Sequence, residues 1–580
     1  MGTISDKLMR IINTKEDIRQ ALISKGYDVP TSIPFKEYAK MILDLPCKVD
    51  SFPDIEGIVA RYSASGLTNE QMAANPVWVD KTGNGHDIQL KNFSWKGMSG
   101  VGGYEMNFNL WRNNVSSIPD ISMSTTTTSV SVSVGNSTYN NNLIYIHISN
   151  WDINKNHWLK VTSTYEDGDL AFIFYNDSNT KKIGLPANGY VNILAYPEFK
   201  GSYMYISTIS NKQGSFTIEQ LPLYPGALVF DGVDDYGVCE NFPILTKEKG
   251  YTVVVLRQWD QDFLNTTLTG GLLSTRNYST GEGVAFEKIE SSNKGYWNLG
   301  AGGIIDFAKS PFTWQTSKQY NNVGILKGDK NHGKPLCVGC GLSGGQQCGR
   351  FAIWELVFLD HDATEEELTK IKDHFVKTYP WLFPDKAWTV TGKTNEDEDR
   401  ATIANITGNG NDLVLSNFGF AEGSGYNEEG EYAGYLVTDG VDDKIISSIF
   451  KMGNDWTVIG DWELINTGKN DNAGIVKFDS IVIYNYNSML INIKNGRNIL
   501  IPDQNTVNAI CSDGRIYSKD WKESIYNEET ESTSKNFLTI GYSGNAYTKI
   551  AFKNLAIYPT VLSREDCIKA YNYLQTLKAK

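Results

Sequence analysis

From Ser51 to the C-terminus the apolar residues fall in short runs or alternate with polar ones, interrupted by Gly, Asn and Asp. Leu228-Val229-Phe230, Thr252 to Leu256, Thr457-Val458-Ile459 and Ile481 to Tyr484 have the length and the β-branched and aromatic content of strands. Many short strands at regular spacing predict two-sheet sandwiches, because a sheet apolar on one face must bury that face against another layer. Clear helices in this region are predicted at two places. Residues 364–378 and 563–577 each follow an apolar run, and Thr364 with Glu367 and Ser563 with Asp566 set an N-cap and its N3 acid at the capping offset. Ahead of Ser51 the texture changes. Leu8, Ile11, Ile12, Ile18, Ala21 and Leu22 keep helical spacing over 5–25, Gly26 ends that run, and residues 35–44 form a second short helix. Two helices this small bury too little to be stable alone. Residues 1–48 are therefore expected to dock on a partner, to oligomerise or to cap the next domain, through Leu8, Ile11, Ile12, Ile18, Leu22, Phe35 and Tyr38.

The β region contains one pattern twice. Thr82-Gly83-Asn84-Gly85-His86-Asp87 returns as Thr407-Gly408-Asn409-Gly410-Asn411-Asp412, and Asp231-Gly232-Val233-Asp234-Asp235 returns as Asp439-Gly440-Val441-Asp442-Asp443. Leu336-Cys337-Val338-Gly339 matches Leu538-Thr539-Ile540-Gly541, and each copy closes on a strand and a capped helix. Order kept over so long a period means two copies of one domain, not a solenoid. Between the two turns the first copy spans 149 residues and the second 32, and the excess has strand patterns of its own at 130–134, 143–148, 171–175 and 203–206. A domain inserted into an exposed loop accounts for the difference. The expected division is 1–48, a helical anchor; 49–103 with 226–384, the first repeat; 104–225, the insert; and 385–580, the second repeat.

Composition narrows the function classes. Net charge is −14, which argues against a nucleic-acid partner, whose phosphates select a basic face. No run of about 18 apolar residues is present, so no helical membrane span is expected. The N-terminus lacks an apolar h-region and a small-residue cleavage site, and seven thinly spread Cys suit a reducing compartment. Synthesis in a cytoplasm without export is the expectation.

The strand before Asp80, the Asp80-to-Asp87 loop, Ala227 to Tyr236 and the ending Leu555 to Asp566 resemble the laminin-G-like, concanavalin A-like jelly-roll superfamily, over about two-thirds of the chain. The resemblance implies a mainly β fold of two concanavalin A-like jelly-roll sandwiches, a small β-sandwich inserted in the first, and a short N-terminal helical segment. Such scaffolds carry carbohydrate- and protein-binding sites, although fold alone does not give function. Gly2 to Leu8, Asn13 to Ile18, Ala21-Leu22, Lys25-Gly26 and Phe35-x-x-Tyr38 resemble the helical leader on structural proteins of gut Bacteroidetes phages, including crAss-like phages. That resemblance implies a virion location and docking of residues 1–48 on other virion proteins. It agrees with the lack of an export signal, since virion proteins leave by lysis.

The candidate chemistry is sparse. Asp231, Asp234, Asp235, Asp439, Asp442 and Asp443 are hard oxygen donors of the kind Ca2+ takes, but Asp-Gly is equally a hairpin turn, and both readings stand. No cofactor is required by anything in the sequence. The Thr-Gly-Asn-Gly loops are turn chemistry first, because Asp80 becomes Asn405 in the second copy. Cys337-x-x-Cys340 with Cys348 invites zinc, yet positions three apart on a regular strand point to opposite faces. No strand carries the spaced carboxylates of a glycosidase, Glu396 to Asp399 has the look of a solvated loop, and six His form no triad. A non-enzyme is expected. Trp95, Tyr104, Trp111, Trp151 and Trp158 are the candidates for stacking on sugar rings, against the usual fate of Trp in a sandwich core. Together these readings predict a phage fibre or appendage subunit, head or tail, forming a homo-oligomer (a trimer by preference) and binding host surface glycan. The alternatives are a free bacterial carbohydrate-binding adhesin and, behind it, a capsule depolymerase.

Overall fold

A computed structural model describes Lys15 and most of residues 52–579; the longest stretches it leaves undescribed within that range are 114–120, 148–156, 194–202, 276–284, 307–322, 328–334, 466–472 and 526–537. The chain divides into two compact units, 1–54 and 55–580. The expected docking residues of the first unit lie outside the described residues. The second unit is mainly β, with several sheets and few helices. Among the described residues no helix is long and apolar enough to cross a membrane.

Two of its sandwiches share one strand order. In the first, one sheet runs in spatial order Val323–Lys327, Thr252–Trp259, Arg350–Leu359, Leu228–Asp231, Gly100–Val101, with Ile58–Ser63 also on Arg350–Leu359. In the second, the same order runs Val507–Cys511, Thr457–Leu464, Ile550–Tyr558, Leu436–Val437, Gly425–Tyr426, with Lys386–Thr389 also on Ile550–Tyr558, and Arg515–Ser518 and Glu523–Ile525 extend the sheet beyond Val507–Cys511. The facing sheets agree over eight strands, from Val77–Trp78 to Gly303–Asp306 in one and from Thr402–Ile403 to Arg497–Ile501 in the other. Even the bulge recurs. Pairing slips between Leu256 and Arg257 opposite Glu355 and Ile353, and between Asp461 and Trp462 opposite Asn554 and Phe552. Each pair of sheets closes on its own core: Trp78, Phe230, Tyr251, Trp259 and Phe358 are buried in the first, Trp388, Val458, Trp462, Ile540 and Phe552 in the second.

Residues 112–220 form two five-stranded sheets that, among the described residues, pair only with each other's neighbours inside that range. One contains Asn188–Ile193, His157–Ser163, Gly214–Gln220, Ser129–Val134 and Ile121–Thr125; the other contains Thr180–Leu185, Leu170–Tyr175, Tyr203–Thr208, Asn142–His147 and Arg112–Asn113. Val132, Leu159, Val161, Phe172, Phe174, Met204, Ile206 and Phe216 fill the space between them. Alternation explains the rest: Ser131, Lys160, Ile173 and Tyr205 take the other phase and point outward.

The helices Glu365–Thr378 and Arg564–Gln575 begin where their caps predict. Thr364 and Glu367 satisfy each other's backbone N–H groups, and Ser563 accepts the Asp566 N–H. Beneath the first helix lies a charged network. Arg61 pairs with Glu355 at 3.2 Å, and the Tyr379 hydroxyl donates to the same carboxylate at 2.9 Å. The second helix joins the sandwiches. Tyr571 meets Trp158 of the insert at 5.3 Å between ring centroids, Trp521 completes the cluster, and Arg564 lies over Tyr190 at 5.5 Å. Gln258 of the first sandwich donates to Thr576, and Lys578 pairs with Asp262. One sheet of the insert therefore faces the body, and the other faces away from it.

Candidate functional site

The repeated Asp-Gly-Val-Asp-Asp segments are turns locked by their own carboxylates. Asp231 Oδ1 accepts the Val233 N–H at 2.8 Å, and Asp235 accepts the Asp231 N–H and the Ser99 hydroxyl, both at 3.0 Å. The second copy repeats this, with Asp439 Oδ1 accepting the Val441 N–H at 2.7 Å and Asp443 accepting the Asp439 N–H at 2.8 Å. Gly232 and Gly440 sit at φ +77° and +76°, and a Cβ on Gly232 would meet the Arg350 Cβ at 2.8 Å. Glycine is thus required for backbone angle and for close approach. Burial, then the charge of Asp231, pushes the Asp235 carboxyl up to about 7; burial raises Asp443 to about 6. In each copy the three carboxylates converge within 4.8 Å. Ca2+ takes about six to eight oxygens, and the inner carboxylates already accept hydrogen bonds from the chain, so the fit to the ion is partial. Folding the turn is what these groups do on their own.

The Thr-Gly-Asn-Gly loops are likewise built from within. Asp80 accepts the N–H groups of Arg61 and Thr82 at 3.0 Å each, and its own N–H donates to Asp87 at 2.8 Å. Asn405 takes the same place, accepting from Ala387 and Thr407 and donating its N–H to Asp412. The Asn405 amide oxygen takes over the Oδ1 contacts of the carboxylate, and where Asp80 Oδ2 accepts the His86 N–H the Asn405 NH2 donates to the Gly410 carbonyl instead.

The thiols correct the alternation argument. Gly339, at φ +93°, separates the strands Leu336–Val338 and Cys340–Leu342 and resets the phase between them. Cys337, Cys340 and Cys348 consequently share one buried cluster, with Cys340 opposite Cys348. A hydrogen bond from Cys340 draws the Cys337 thiol below its ordinary pKa. None of the six described cysteines forms a disulfide. The acidic segment 396–399 is turn and surface, with Asp397 accepting the Thr394 N–H and Asp399 pairing with Lys393.

Two of the four tryptophans expected to meet sugars do not reach the surface. Trp111 is 1% exposed and stacked on Phe108 in the insert core. Trp158 is 6% exposed, held between Trp521 and Tyr571. Neither ring has a face open to a ligand. Trp95, stacked on Phe93 at 4.8 Å, and Tyr104 are half-buried where the chain enters the insert; burial pushes the Tyr104 phenol up to about 12. Trp151 lies outside the described residues.

Aromatic surface gathers elsewhere, on the outward sheet of the insert. Tyr145, Tyr203 and Tyr205 are mutually in contact, with ring centroids 5.6–6.2 Å apart. Tyr203 is 40% exposed, and Tyr175, its register partner, 49%. Burial, then the neighbouring phenols of Tyr203, Tyr145 and Tyr175, raises the Tyr205 pKa. The Tyr205 hydroxyl is thereby kept protonated, and phenol hydroxyls serve as both donors and acceptors beside the open ring faces. Nothing in the tryptophan count pointed here. The available signal was phase: Tyr203-Met204-Tyr205-Ile206 alternates tyrosine with core residues, and Tyr145 and Tyr175 follow Ile144 and Phe174 in the same way.

No family model matches the chain, and no curated protein matches it. Solved structures overlap it loosely. The binding domain of botulinum neurotoxin serotype D matches at 11% identity over 59% of this chain and 89% of that one, with a TM-score of 0.23. The receptor binding domain of botulinum neurotoxin C/D mosaic serotype gives 9% identity over 58% and 88%, at 0.23. The Trypanosoma rangeli sialidase in complex with sialic acid gives 8% over 79% and 85%, at 0.21. Scores this low transfer neither a residue nor a ligand from those proteins to this chain.

Proposed function

We propose that this chain is a fibre or appendage subunit of a phage virion, docked through residues 1–48, whose β-sandwiches hold out a saccharide-binding face toward a cell surface. The observation that carries the saccharide half is the tyrosine face of the insert. Four exposed or half-exposed phenols on one sheet offer ring faces to sugar C–H groups and hydroxyls to sugar hydroxyls. Isolated exposed aromatics are ordinary, whereas a contiguous group on one face marks a contact surface. The face is shallow, so a single contact would be weak. Repetition over the copies of a homotrimer, the assembly expected of a fibre, would raise the avidity. The leader-like N-terminal segment supports the virion half.

Two measurements test this reading. In affinity electrophoresis through gels containing bacterial surface polysaccharide, the wild type should be retarded and a Tyr145→Ala/Tyr205→Ala variant should not. Equal mobility with and without every polysaccharide tried would end the saccharide reading. Immunogold microscopy with antibody against residues 385–580 should label virions at regular positions. Bare virions beside labelled bacterial surfaces would instead make the chain a free adhesin.

A further inference from the structure

We infer that the ligand of the tyrosine face is an acidic saccharide, an extended chain bearing carboxylate or sulfate groups and lying across the strands; this rests on the saccharide reading above. The first observation is a row. Register pairing sets Lys182 beside Ile173, Ile173 beside Tyr205, Tyr205 beside Tyr145, and Tyr145 beside Arg112. Directly paired residues share a face of the sheet, so one line crosses all five strands with a cation at each end and tyrosines between. Four strand spacings make that line roughly 19 Å long. A parallel row of Thr180, Tyr175 and Tyr203 flanks it. The dimensions suit several sugar units rather than one.

The second observation is charge. The five strands contain Arg112, Lys181 and Lys182 and not one Asp or Glu. The chain as a whole carries −14. Within the strands every charge is therefore positive, while Glu166, Asp167 and Asp169 sit in the turn at the end of Leu170–Tyr175, where Asp169 accepts the Glu166 N–H and Asp167 the Ala187 N–H; the row itself offers anions only cations. Lys182 and Arg112 are exposed, the latter braced by hydrogen bonds from its guanidinium to the carbonyls of Asn109 and Trp111.

The full-length protein would be titrated by calorimetry with polygalacturonate and with its fully methyl-esterified counterpart, at low and at high salt. The acidic form is expected to bind at least tenfold tighter, and the advantage to shrink as salt rises. Lys182→Gln/Arg112→Gln should erase that preference, bringing the affinity for the acidic form down to that for the ester. Tyr145→Ala/Tyr205→Ala should abolish both, and Tyr205→Phe, which keeps the ring, should retain most of the binding; thermal melts would confirm that each variant is folded. Equal affinity for the two polymers would overturn the acidic inference and leave the saccharide reading intact. Binding of neither, nor of any other polysaccharide, would overturn both. Tighter binding of a single-stranded oligonucleotide than of polygalacturonate would assign the face to a different anion and overturn the inference as well.

Discussion

Replacing Trp158 with alanine should release the inserted sandwich from the body of the molecule without unfolding it. The indole is 6% exposed and meets Tyr571 edge-on at 5.3 Å and Trp521 at 6.2 Å. Truncating a buried tryptophan costs about 3–5 kcal/mol. The insert core is filled by Leu159 and Val161 on the opposite phase of the same strand, so the loss falls on the docked arrangement and not on the insert's own fold. At about 3 kcal/mol the docked population falls roughly a hundredfold relative to the undocked. Among the described residues, what then holds the insert are its two chain connections and the Arg564–Tyr190 contact, worth about 0.5–1 kcal/mol. Hydrogen exchange read by mass spectrometry would show faster exchange in Arg564–Gln575 and unchanged protection in Ser129–Val134. A double-mutant cycle with Tyr571→Ala should give a coupling of about 0.5–1.5 kcal/mol. Uniform loss of protection through all the insert strands would refute the reasoning, because Trp158 would then be part of the insert's core. No change anywhere would refute it equally, since the cluster would hold nothing.

Two further outcomes are expected. Asp235 and Asp443 have folded pKa values of about 7 and about 6, above the ordinary carboxyl, so the folded state binds protons that the unfolded state has released. Stability should therefore fall as pH rises from about 4 to about 7. An Asp235→Asn/Asp443→Asn variant should flatten that dependence in thermal melts, and a wild-type melting temperature that rises over the same window would contradict it. Glu355→Ala strands the Arg61 guanidinium in a site where both side chains are almost fully buried, and should cost about 3–5 kcal/mol in denaturant unfolding. A loss below about 1 kcal/mol would mean that the network holds the helix Glu365–Thr378 to its sheet far less tightly than its geometry implies.

Local chemistry made much of this molecule legible before any fold was drawn. Short apolar runs become strands, Thr364 with Glu367 becomes a capping box, and repeated Asp-Gly and Thr-Gly-Asn-Gly turns mark two sandwiches with the same strand order. Each of these signals lies within a few residues, where backbone angles, capping and period-2 alternation act directly. Other features depend on partners far away in the chain. Trp158 looked like a surface ring and is instead a docking residue, because Tyr571 lies more than four hundred positions downstream. Cys337 and Cys340 looked divergent until Gly339 turned the chain between them. Sequence alone determined the β class, the repeat and the turns; only the tertiary structure decided which outward face stays open. The physical reason is that alternation sorts side chains into two faces, whereas packing of whole sheets chooses which face meets water. That choice buried Trp158 against the body and left Tyr145, Tyr175, Tyr203 and Tyr205 on the side turned away from it.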